Sequence, residues 1–177
     1  MTPAETTLSG FTDEERFLLK KALSRLSCYD DTPRGLLSRL SEKKYRNAPV
    51  SREACVKVVR FLVSEGLLRE REYAENIVSA LKSRGYGTRR ILRELSARKF
   101  SSEICEQMRA RLETDETEQL RAFEMLKKRA LARKSDLSDR NEKQKLYAYL
   151  ARLGFSSETC REALLKFSCE EENEWND

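Results

Sequence analysis

Histidine is absent from all 177 residues, and that single absence excludes several chemistries. No imidazole is present to activate a serine or cysteine nucleophile, and none to ligate zinc. The five cysteines, Cys28, Cys55, Cys105, Cys160 and Cys169, are widely spaced, odd in number and never in a C-x-x-C pair. They read as free thiols in a reducing cytoplasm. Six glycines and three prolines supply too little turn chemistry for a sheet of many short strands. No apolar run approaches the roughly 20 residues that span a bilayer, and Met1 to Gly10 lacks the apolar core of an export signal. No carboxylate couple stands out among the 30 acids, so neither enzymatic activity nor a cofactor or metal is expected.

Charge and helix formers are what the chain has in quantity. Hydrophobic residues make up 39% and charged residues 37%, a modest apolar supply that suits a stack of small cores better than one spherical core. The net charge of +5 permits binding to nucleic acid or an acidic surface, and is equally the balance of a solvated, salt-laced helical surface.

An internal repeat organises these residues. Phe100-Ser101-Ser102-Glu103-Ile104-Cys105 recurs 55 residues later as Phe155-Ser156-Ser157-Glu158-Thr159-Cys160. At the same offset Ile91 and Leu95 match Leu146 and Leu150. An earlier copy has Leu36, Leu40 and Tyr45, then Ser51-Arg52-Glu53-Ala54-Cys55, with five extra residues, Arg46 to Val50, inserted before its serine. A fixed period of this length indicates an array of supersecondary units.

The units read as helices. Leu146, Tyr149, Leu150 and Leu153 form an i, i+3, i+4, i+7 stripe. Gly154 stops that helix, Ser156 caps the next, and Glu158 favours its positive end. Cys160, Ala163, Leu164 and Phe167 form the second stripe, so the matched cysteines are small core residues. A further helix precedes each pair, through Leu19, Ala22, Leu23 and Leu26 in the first copy. Ala74, Ile77, Val78 and Leu81 serve the second copy, and Ala122, Met125 and Leu126 the third. The expectation is an all-α fold, helical throughout, of three tandem three-helix repeats forming an elongated, curved array. Its parts are a flexible N-terminus (1–11), repeats at 12–68, 69–114 and 115–169, and a disordered acidic tail (170–177). A polar loop is expected around Lys134 to Asp139, and Trp175 reads as a dangling or docking residue of the tail.

The stretch Gly85-Tyr86-Gly87-Thr88-Arg89-Arg90-Ile91-Leu92-Arg93-Glu94-Leu95, followed by Lys99-Phe100, resembles the central signature of the RecX family, bacterial regulators of the RecA recombinase. Gly66-Leu67-Leu68 with Tyr73-Ala74 resembles that family's entry into its second repeat. Lys145-Leu146 and Leu150-Ala151-Arg152-Leu153-Gly154-Phe155 resemble its third-repeat signature. The resemblance covers about residues 12–167 and implies three tandem three-helix repeats. Arg69-Glu70-Arg71-Glu72 departs from the family's acidic pair before Tyr73, and Thr32-Pro33-Arg34-Gly35-Leu36 departs from its first-repeat pattern.

Candidate contact residues are basic. Arg89 and Arg93 share a helix face with Arg90 beside them, and Arg98 and Lys99 follow; Ile91, Leu92 and Leu95 point inward. The planar guanidinium fork suits phosphate or carboxylate, and the alternative is that Arg90 and Arg93 pair with Glu94 or neighbouring acids. A second basic run comprises Lys127, Lys128, Arg129, Arg133, Lys134, Arg140, Lys143, Lys145 and Arg152, a track for an acidic partner or a solvated face. The Gly85-x-Gly87 turn reads as a helix stop before the cap Thr88 rather than a phosphate cradle, since no Gly-Lys-Ser/Thr sequence exists. Taken with the resemblance, the expectation is a monomeric regulator that binds the RecA filament on single-stranded DNA and inhibits its ATPase, strand-exchange and coprotease activities, with weak direct DNA contact. The rivals are an autonomous DNA-binding protein with helix-turn-helix-like units, and a helical adaptor for another protein.

Overall fold

Thr12 opens the first helix with a reciprocal cap: its hydroxyl accepts the Glu15 amide at 3.3 Å while Glu15 Oε2 accepts the Thr12 amide at 2.8 Å. Such a cap satisfies two amides that the helix geometry leaves orphaned and is worth about 1 kcal/mol. The structure is a computed structural model that describes residues 10–115, 117–133 and 139–174. Among the described residues it contains nine helices. They are α1 (Asp13–Leu26), α2 (Pro33–Ser41), α3 (Arg52–Ser64), α4 (Glu70–Ser83), α5 (Thr88–Ala97), α6 (Ser102–Glu113), α7 (Thr117–Arg133), α8 (Arg140–Leu153) and α9 (Ser157–Glu174). The all-α, three-by-three expectation holds. A single hairpin, β1 (Lys44–Tyr45) paired antiparallel with β2 (Ala48–Pro49), lies between α2 and α3. This corrects the expectation of helix throughout. The insertion Arg46 to Val50 builds it, and Arg46 and Asn47 take φ of 50° and 65°, the left-handed pair that a two-residue hairpin turn requires.

The chain forms two compact units: residues up to Ala74 with Arg98–Ile104, and Glu75–Ala97 with Cys105 onward. In the first, Leu18, Ala22, Cys55, Val58 and Leu62 are wholly buried. The α1 stripe is rotated from the expected one. Leu18 takes the centre with Glu15, Leu19 and Ala22, whereas Leu23 is 41% exposed and Leu26 only half-buried. Five positions beyond Leu18 on a 3.6-residue period, Leu23 turns away from the face that meets α3. Lys57 of α3 reaches Glu15 Oε2 at 2.9 Å and the Gly10 carbonyl at 2.8 Å. Its hydrogen bond holds the Glu15 carboxyl below the ordinary value against the opposing effect of burial. Phe11, placed by sequence in the flexible N-terminus, is instead buried edge-on to Phe61 with centroids 5.1 Å apart.

The second unit centres on Leu126, Leu146, Leu150, Phe155 and Cys160, all buried. Asp115 lies ahead of α7 and accepts from Lys82 Nζ and Arg121 Nη1, each at 2.8 Å, and from the Thr117 hydroxyl at 2.6 Å. Burial pushes its carboxyl up, but these bonds prevail and hold it far below the ordinary carboxylate range. The expected acidic tail is corrected in part. Helix α9 continues to Glu174, while Trp175, Asn176 and Asp177 lie outside the described residues, as does the stretch 134–138 of the expected loop.

Repeat positions keep their roles. Ser51, Ser101 and Ser156 each accept the amide three residues on, at 3.0, 3.4 and 3.0 Å. Cys55 and Cys160 are fully buried, and burial raises both thiols; Cys105 is only half-buried.

Candidate partner-binding surface

Helix α5 carries the clearest segregation of charge from apolar side chains. Ile91 and Leu95 are fully buried, Leu92 is half-buried, and Arg89, Arg90 and Arg93 are exposed. No carboxylate among the described residues lies within ion-pair distance of these three arginines. The alternative pairing of Arg90 and Arg93 with Glu94 is therefore not what the structure adopts. Arg90 instead lays its guanidinium over the Tyr86 ring, 3.9 Å from the centroid, an arrangement that orients the group without neutralising it. Tyr86 was not singled out by sequence, although a tyrosine four residues before an arginine is the available signal.

The N-terminus of α5 is fixed by α8. The amides of Gly87 and Arg89 donate to the carbonyls of Leu153 and Gly154 at 2.9 and 3.0 Å. The Thr88 amide donates to Glu118 Oε1 at 2.7 Å. A Cβ at Gly87 would stand 2.5 Å from the Phe155 nitrogen, so only glycine allows this approach. With these amides engaged, the turn offers no phosphate cradle. Thr88 is not the expected cap. It is the first helical residue, its hydroxyl is buried without a partner, and the Gly87 carbonyl accepts the Ile91 amide. Gly85, at φ of 78°, provides the expected helix stop.

Arg98 and Lys99 belong to the other compact unit. Arg98 Nη1 bonds the Tyr73 hydroxyl at 3.2 Å and Lys99 Nζ the Ser38 hydroxyl at 3.0 Å. The second basic run is partly neutralised. Lys127 Nζ is 3.4 Å from Glu170 and Lys145 Nζ is 2.6 Å from Glu142, whereas Lys128, Lys143 and Arg152 are exposed. The side chain of Arg133 lies outside the described residues, as does Lys134. Arg129, Lys145 and Arg152 share with Tyr149 a cavity of about 260 Å³, and the Arg129 guanidinium sits 5.1 Å from the Tyr149 centroid. Tyr149, read from sequence as part of an apolar stripe, is thus only half-buried and also supports a cation.

No described helix is long and apolar enough to cross a membrane, and no group of three potential metal ligands occurs among the described residues.

Comparison with known proteins finds relatives of a named family. Residues 116–164 match the family model described as RecX, third three-helix domain. A protein named regulatory protein RecX, from Trichlorobacter lovleyi, is 27% identical over 146 residues, covering 82% of this chain and 92% of its own length. The crystal structure of RecX from Lactobacillus salivarius superposes with a TM-score of 0.75 at 21% identity, covering 90% of this chain and 99% of that one. A second crystal structure, of a regulatory protein RecX, gives a TM-score of 0.66 at 19% identity, covering 83% and 70%. The two structures share the fold, and the three comparisons agree with the family that the sequence resembles.

Proposed function

We propose that this chain, a RecX-family protein, is a non-enzymatic regulator that binds the RecA recombinase filament on single-stranded DNA and inhibits its ATPase, strand-exchange and coprotease activities. The observation that carries this reading is the set of exposed guanidiniums on α5, Arg89, Arg90 and Arg93, unpaired with acid and presented by a helix anchored at its N-terminus. Desolvating three free guanidiniums beside carboxylates or phosphates gives charge-assisted bonds roughly twice as strong as neutral ones. Anchoring the helix lowers the ordering cost of making them. Lys128, Lys143 and Arg152 of the third repeat add further exposed cations. Weak contacts repeated along one chain combine through effective concentration, which suits a filament of identical protomers.

The deciding experiment adds the purified chain to RecA assembled on single-stranded DNA and follows ATP hydrolysis and strand exchange. Inhibition of both at stoichiometric protein is expected; no effect at excess protein would sink the reading. Steep salt-dependent retention on DNA without recombinase, together with no effect on the filament, would instead identify an autonomous DNA binder.

A further inference from the structure

The first repeat holds a groove that the basic surface described above does not include. It encloses about 380 Å³ between the C-terminal part of α1 and helix α2. Leu36 and Leu40 close its floor, and Tyr29, 65% exposed, forms an apolar wall. Lys21, Arg25, Arg39 and Lys43 stand around it, with Glu42 as the one acid lining it.

Two of these cations are held ready. Asp31, buried behind them, accepts Arg25 Nε at 2.7 Å and Arg39 Nε at 3.0 Å on the same oxygen, Oδ2. Its other oxygen accepts the Thr32 amide at 3.0 Å. Both guanidiniums are fixed through Nε, and their terminal nitrogens have no hydrogen bond to the described residues. Arg25 also sits 5.6 Å from the Tyr29 centroid. A clamp of this kind restrains each guanidinium before any ligand arrives, so less side-chain entropy is lost on binding.

The repeat framework does not demand this chemistry. Fifty-five residues later the floor stays apolar, as Ile91 and Leu95, and Lys43 stays cationic as Arg98, but Lys21, Arg25, Tyr29, Asp31 and Arg39 become Asn76, Ala80, Arg84, Tyr86 and Glu94. The arginine pair clamped by Asp31 and its aromatic wall therefore belong to the first repeat alone of these two, and call for an explanation other than packing.

We propose that this groove is a docking site for an acidic protein segment, whose carboxylates pair with Lys21, Arg25, Arg39 and Lys43 while one apolar side chain packs on Tyr29. Charge complementarity selects the acids, and a guanidinium fork matches a carboxylate in two parallel bonds. The bounded, apolar-floored shape selects a side chain over a phosphodiester backbone, which needs a continuous positive track; Glu42 interrupts such a track.

The test uses the full chain and a fluorescein-labelled peptide with one phenylalanine flanked on each side by three acidic residues. Saturable fluorescence anisotropy is expected, weakened about tenfold by the Lys21→Glu/Lys43→Glu pair and reduced as well by Tyr29→Ser. All three positions are exposed, and unchanged circular dichroism checks the fold. Absence of saturable binding, equal affinity for the peptide with its acids amidated, or displacement by a thymidine oligonucleotide would each overturn the proposal. The readout contains no recombinase, so it stands or falls apart from the proposed regulatory role.

Discussion

The Gly87 amide donates to the Leu153 carbonyl at 2.9 Å, and 55 residues earlier in both partners the Thr32 hydroxyl donates to the Arg98 carbonyl at 3.1 Å. One joint is thus built twice, each time between the start of one repeat's middle helix and the end of the next repeat's. In the first repeat the equivalent acceptor is the Lys43 carbonyl. There the Val50 amide, from the inserted hairpin, takes the place at 3.3 Å. The insertion thus supplies, from within its own repeat, a donor that elsewhere comes from a neighbouring repeat.

Replacing Gly87 with alanine should break the second joint. The added Cβ would meet the Phe155 nitrogen at 2.5 Å and the Gly154 carbonyl at 2.6 Å, backbone atoms that cannot swing away. A loss of about 1–3 kcal/mol is expected, read as a lower thermal midpoint. Gly10→Ala, with open space around its Cβ, serves as the neutral control; equal midpoints would refute the steric account.

Asp115→Asn should cost about 3 kcal/mol, because it strands Lys82 and a largely buried Arg121 without their counter-charge. The pH dependence has a definite sign. The folded-state pKa lies below the ordinary carboxylate value, so the contribution is present above that ordinary value and is lost as pH falls towards the depressed one. Denaturant titrations at pH 7 and pH 3 should show the native chain losing more stability on acidification than the variant. Parallel losses would argue against Asp115 as the linked group.

Arg89→Ala/Arg93→Ala should leave stability within about 0.5 kcal/mol, as exposed substitutions do, while weakening filament inhibition about tenfold or more. Lys127→Ala and Lys145→Ala should matter less, since each lysine is already paired, with Glu170 and Glu142 respectively. Inhibition curves for recombinase ATP hydrolysis provide the comparison, and a larger effect from the lysines would reverse the ranking of the two surfaces. If the arginines touch phosphate, the double variant should also flatten the salt dependence, by about 0.7 in logarithmic slope for each single-strand phosphate no longer neutralised.

Much of this architecture is written in local sequence. Periodic leucines, cap serines and a helix-stopping Gly154 act within a few residues of themselves, so helix count and repeat register can be read without coordinates. What escapes is set by residues far apart in the chain. The use of Gly87 depends on Gly154 and Phe155, the exposure of Leu23 on how α3 covers α1, and the placement of Arg90 on the Tyr86 ring that it covers. The hairpin was visible only as five unmatched residues, because its turn uses Arg46 and Asn47 instead of glycine.

Lys99 and Gly154 occupy the same repeat position and share the left-handed conformation, with φ of 62° and 94°. Glycine adopts it freely, whereas a lysine Cβ crowds the following carbonyl at about 1 kcal/mol. Lys99→Gly should accordingly stabilise the chain by up to about 1 kcal/mol, less the exposed bond from Lys99 Nζ to Ser38. The reciprocal change, Gly154→Ala, should destabilise it by more than the conformational cost alone, because the new Cβ would press on the Arg90 backbone nitrogen at 2.5 Å. Opposite shifts in thermal midpoint are the expected pair. Lys99→Gly also separates structure from contact: raised stability with weakened filament binding would assign Lys99 a binding role, and raised stability with unchanged binding would remove it from the surface.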